Sequence, residues 1–124
     1  MDPQEKPIAD EIVARQFRLV DSRGRDRAIL TARWNDEPQL LLLDERSCPR
    51  ITLKIENEKP FVTLHAPDGD ALFSAGVDQD HSVGLIIKDF NGRPRVWISA
   101  RQPGETTIRL FDSNGEEIWS TELS

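Results

Sequence analysis

The side chains able to carry covalent or acid–base chemistry are few and widely separated. Cys48 is the only cysteine in 124 residues, and His65 and His81 are the only histidines. A thiol nucleophile needs a base within hydrogen-bond reach, and Cys48, just past Arg46-Ser47, has no histidine near it in the strand pairing derived below. His65 falls on the outward face of a strand and His81 in the turn Asp78-Gln79-Asp80-His81, both ordinary surface positions. The acid pairs Asp68/Asp70 and Asp78/Asp80 fall short of the roughly six to eight oxygen ligands that calcium takes. Asp21, Asp44, Asp89 and Asp112 recur just before short turns, where a carboxylate bonds turn amides. Arg27, Arg50 and Arg95 form a column beside those acids that fits cross-strand charge pairing first and recognition of an anion or acidic sugar second. Gly-rich phosphate loops, zinc-ligand spacings and nucleophile elbows are all missing. The expectation is a protein with no catalytic residue, no cofactor and no metal, and hence not an enzyme.

The elements that position these residues come in five copies about 23 residues apart. The copies begin Phe17-Arg-Leu-Val-Asp-Ser-Arg-Gly24, Leu40-Leu-Leu-Leu-Asp-Glu-Arg-Ser47, Val62-Thr-Leu-His-Ala-Pro-Asp-Gly69, Leu85-Ile-Ile-Lys-Asp-Phe-Asn-Gly92 and Ile108-Arg-Leu-Phe-Asp-Ser-Asn-Gly115. A fixed period of this length marks a repeat architecture. Each copy reads as two strands around a turn centred on Asp68-Gly69, Asn91-Gly92 or Asn114-Gly115, dipeptides that favour a two-residue type I′ hairpin. The first copy has Arg23-Gly24 there and the second Arg46-Ser47, which predicts the most strained or irregular turn in copy two. Gly24, Asp68, Gly69, Asn91, Gly92, Asn114 and Gly115 are therefore the expected structural turn residues.

Two-residue turns place Leu19 opposite Ala28 and Ile87 opposite Val96. In that register one face carries an apolar residue at every position but Thr121, from Phe17 and Leu19 through Leu64 and Ile87 to Trp119 and Leu123. Copies are joined by Asn35-Asp-Glu37, Glu58-Lys59, Asp80-His-Ser82 and Pro103-Gly-Glu105, and Glu11–Gln16 is expected to lengthen the first strand. The predicted fold is all-β: an antiparallel meander of about ten strands from five hairpin repeats, curled into a barrel, folded as a sandwich or assembled as an oligomeric prism. Leu64 and Ile87 are expected at the centre of its core.

The opposite face places Ile86 across from Trp97, Trp97 from Phe111, and Phe111 from Ile118, with a second cluster at Val20, Ile29, Leu41 and Leu43. Contiguous exposed apolar residues mark an interface, so these eight residues are the expected interface of a homo-oligomer, a trimer or dimer.

The run Ala14–Leu30 and its echo Leu85–Arg95 resemble a group of uncharacterised bacterial β-hairpin repeat proteins with aromatic-x-Leu-Val-Asp-x-x-Gly-Arg-x-Arg-Ala-x-Leu units. Asp-x-Asn-Gly-Arg is more distantly similar to YD repeats, although this chain has no tyrosine, and the unit length to MORN hairpins, whose regular glycines it lacks. The resemblance implies hairpin architecture and no activity.

A net charge of −6 argues against nucleic acid or an anionic membrane as partner. Residues 1–10 read as a flexible arm and 11–124 as one repeat domain. With no signal-peptide pattern and no apolar run of about 20 residues, the expected location is cytoplasmic. The functional expectation is a non-enzymatic structural or protein-interaction module that self-associates. The alternative is a lectin-like carbohydrate-binding module using Trp97 or Trp34 with neighbouring acids and arginines.

Overall fold

The computed structural model describes residues 6–101 and 104–121, so residues 1–5 of the expected arm, Pro103 and Leu123 lie outside the described residues. Within them the chain forms ten strands: β1 (Gln16–Val20), β2 (Asp26–Thr31), β3 (Gln39–Leu43), β4 (Pro49–Glu56), β5 (Lys59–His65), β6 (Ala71–Val77), β7 (Ser82–Lys88), β8 (Pro94–Arg101), β9 (Glu105–Phe111) and β10 (Glu117–Ser120). They pair antiparallel in sequence order as one sheet. Each strand contacts only its neighbours in the chain, and β1 does not pair with β10. The expected barrel is therefore not formed, nor is a sandwich within one chain. The first strand starts at Gln16 instead of Glu11, and residues 6–15 ahead of it are exposed.

The hairpin turns differ in type from the prediction, and the difference is systematic. Only Gly24, Ser47, Gly69, Gly92 and Gly115 take positive φ; Asp68, Asn91 and Asn114 do not. In the first copy the Gly24 amide donates to Asp21 O and the Asp21 amide to Arg25 O, a type I turn followed by a left-handed residue. This loop has an odd number of residues, and the second strand compensates with a bulge, so that Val20 faces Asp26 while Leu19 faces Ala28. The same shift recurs at Leu42/Leu43, Leu64/His65, Ile87/Lys88 and Glu117/Trp119. An extra turn residue and an extra strand residue cancel, which restores the predicted pairs Leu19–Ala28 and Ile87–Val96. Paired positive φ occurs instead in the connections, at Asn35-Asp36 and Asn57-Glu58.

The register lays two unbroken apolar rows across the sheet. One runs Leu19, Ala28, Leu42, Ile51, Leu64, Phe73, Ile87, Val96, Leu110, Trp119, and the other from Phe17 and Leu30 through Leu53 and Leu85 to Ile108. Among the described residues no other element covers them. Leu64 and Ile87, expected at the core centre, are 41% and 39% exposed. The buried positions lie on the other face: Thr31 at 3%, Thr52 at 7% and Thr63 at 6%. Long polar side chains lie over these threonines. Gln16 accepts from the Thr31 hydroxyl at 3.1 Å, and the His65 ring bonds Thr52 Oγ1 at 3.0 Å.

Candidate functional site

The repeated acids and arginines form straps between hairpins. Asp21 Oδ1 accepts the Arg23 and Arg25 amides at 2.9 and 3.1 Å, and Asp44, Asp89 and Asp112 repeat that clamp in their own turns. The Cys48 amide, foremost, holds the Asp44 carboxyl below the usual range, reinforced against partial desolvation by the Arg46 amide and the Arg50 guanidinium. For Asp89 the Arg93 amide leads, with the Asn91 amide and the Arg95 guanidinium again outweighing desolvation. Arg27, Arg50 and Arg95 occupy the bulge of their copies and send Nε to the last carbonyls of the next hairpin's first strand: Leu43 at 3.1 Å, His65 at 2.8 Å and Phe111 at 3.0 Å. Their other nitrogens face Asp21, Asp44 and Asp89 at 3.6–3.8 Å. Arg25 and Arg93 reach the neighbouring turns at Glu45 O and Ser113 O. The motif Asp-x-x-Gly-Arg-x-Arg thus encodes a turn clamp and two inter-hairpin ties, with its cations engaged internally.

A groove of about 710 Å³ crosses the polar face over β5–β9. One cross-strand row there reads Phe61, Gly76, Gly84, Ser99, Thr107. The same row in the first half of the sheet reads Gln16, Thr31, Gln39, Lys54, so long side chains fill it on one side and small ones leave a trough on the other. A Cβ added to Gly76 would sit 2.8 Å from Phe61 Cβ, and one added to Gly84 would sit 2.9 Å from Ile98 O. Facing Cβ atoms ordinarily stand about 4.5–5.5 Å apart, so at both positions the neighbouring strand approaches too closely for any side chain but hydrogen.

The trough has two unlike walls. On one side stands the row Ser74, Ile86, Trp97, Arg109, in which the Arg109 guanidinium lies 5.3 Å from the Trp97 ring centroid and Nε stands 3.8 Å from Glu117. The indole remains 44% exposed. On the other side Arg101 pairs with Asp80 at 3.0 Å. The Ser82 hydroxyl, first, draws the Asp80 carboxyl below the usual range, and the Ser82 amide and Arg101 add to this against partial desolvation. Sequence reading named Trp97 with neighbouring acids and arginines but missed the trough, whose signal is glycines inside two adjacent strand patterns, marking a close backbone approach.

The eight expected interface residues divide. Ile86 does face Trp97, and Ile29 faces Leu41. Trp97, however, faces Arg109 and not Phe111, because β8 and β9 close at Arg101–Glu105. Phe111 faces Glu117, and Ile118 is the extra residue of the last bulge, so the expected four-membered row is broken. Val20 stands opposite Asp26 and Leu43 opposite Pro49. Leu43 is buried, Ile29, Leu41, Ile86 and Phe111 are half-buried, and Val20, Trp97 and Ile118 are exposed. Trp34, in a hollow of about 100 Å³ beside Lys54 and Glu56, is remote in register from Trp97.

Among the described residues no three histidines, cysteines or acids come together as metal ligands, and no helix is long and apolar enough to cross a membrane. His65 is tied at both nitrogens, to Thr52 and to Gly69 O at 3.2 Å, and Cys48 is half-buried. No protein-family model and no curated protein matches the chain.

Proposed function

We propose that this chain is a non-catalytic assembly module whose copies bury the apolar sheet face against one another. The supporting observation is the pair of uninterrupted apolar rows that no other element covers among the described residues. Large side chains on that face, among them Leu19, Leu30, Leu53, Leu64, Ile87 and Trp119, are about two-fifths to two-thirds exposed. At on the order of 70 Å² apiece, some eleven such residues present about 800 Å², above the roughly 300–600 Å² of the largest patch on a typical monomer and near one partner's share of a standard interface. The chain exposes 9765 Å², where about 6,700 Å² is expected of a compact monomer of its mass. Part of that surplus is residues 6–15 ahead of β1, all exposed, and a sheet one layer thick adds to it. Face-to-face packing about 10 Å apart, as in β-sandwiches, would cover both partners. This shifts the self-association surface from the Trp97 side of the sheet to the opposite side.

Light scattering tests the reading. The parent should run as a defined dimer or trimer, and Leu53→Lys with Leu64→Lys should lower its mass or unfold it. Trp97→Lys, on the polar face, should leave the mass unchanged. A parent that stays monomeric at several hundred micromolar, or a mass that falls only with Trp97→Lys, would overturn it.

A further inference from the structure

We infer that the trough between Trp97 and the Arg101–Asp80 pair is a binding site for a short, uncharged oligosaccharide. The site is a local departure from the repeat. Gln39 and Lys54 in early copies give way to Gly76, Gly84, Ser99 and Thr107 in later ones, at equivalent places in one cross-strand row. A row stripped of long side chains across four strands opens a channel about 14 Å long at the usual strand spacing, the span of a di- or trisaccharide. Its walls present what a polyhydroxylated ring recognises. Trp97, braced by Arg109, offers a flat partly exposed surface, and the Arg101–Asp80 pair, joined at 3.0 Å, offers donors and acceptors to vicinal hydroxyls.

The same geometry speaks against other ligands. Lys59, Arg101 and Arg109 are outnumbered by Glu56, Asp78, Asp80 and Glu105 in the lining, so no net positive field gathers a polyanion. A peptide adding as a strand needs a free sheet edge, whereas β6–β9 are paired on both sides. A purely apolar ligand would have to desolvate the Arg101–Asp80 pair.

The test is a glycan array probed with the full chain, followed by calorimetric titration of the best neutral trisaccharide. Trp97→Ala removes the platform, and Ser99→Gln refills the trough with a side chain that the row already accepts at Gln39. Each variant should keep its β-sheet circular dichroism and bind at least tenfold more weakly, while Trp34→Ala binds within twofold of the parent. Absence of any neutral-glycan binding, preference for sulfated or acidic glycans, or affinity indifferent to both groove substitutions would each overturn the assignment.

Discussion

At the scale of single residues, one left-handed position per hairpin decides the turn. Four copies place glycine there, and copy two holds Ser47 at φ 62°, in the same geometry without glycine's freedom. Ser47→Gly is expected to raise the urea midpoint at fixed protein concentration. Gly92→Val should lower stability by about 1–3 kcal/mol, the usual cost of a bulky residue in the left-handed region. Equal midpoints for Gly92→Val and parent would contradict the turn assignment. The turn acids set an acid limit as well. The Asp44 and Asp89 carboxyls sit below their ordinary range in the folded chain. Their contribution is complete above the unfolded value near pH 4 and is lost as pH falls through the lower folded value. Melting temperature should therefore decline as pH drops below about 4, and Asp44→Asn with Asp89→Asn should flatten that decline measured from pH 7 to pH 2.

At the scale of elements, the hairpins are tied by the bulge arginines, and the repeat contains its own control. Copy three replaces both members of the strap, with Ala66 at the acid position and Leu72 in the bulge. Removing Arg95 alone takes the guanidinium from beside Asp89 and the side-chain donor from Phe111 O, which should lower the urea midpoint. Asp89→Ala together with Arg95→Leu, which installs copy three's solution in copy four, should cost less than the two single changes added. A double-mutant cycle from chemical unfolding measures this coupling, and strict additivity would show that the two residues act separately.

At the scale of the whole molecule, the ten-stranded layer leaves large apolar side chains on one face about two-fifths to two-thirds exposed. If copies cover that face, stability becomes a function of concentration. The melting temperature should rise over a hundredfold increase in protein concentration, and Leu64→Ala should weaken that dependence more than Ser74→Ala on the opposite face. A melting temperature independent of concentration would place the cover elsewhere.

Much of this architecture was legible in the residues. Period-two alternation admits only strands, and the apolar pattern predicted partners such as Ile87–Val96 correctly even though the turn type behind the prediction was wrong. A bulge compensates for an odd loop, so the register follows the hydrophobic face and is insensitive to the turn's details. Burial itself was not legible. Alternation says which side chains share a face, but covering that face requires a second layer, and the described residues supply none. Leu64 and Ile87 are consequently exposed, while Thr52 lies buried under its polar neighbours. The groove likewise depended on tertiary structure, since Gly76 and Gly84 become a trough only when register sets them side by side between Phe61 and Ser99. Local sequence determines strand, face and turn because these depend on near neighbours, whereas curvature and cover depend on how ten strands add together.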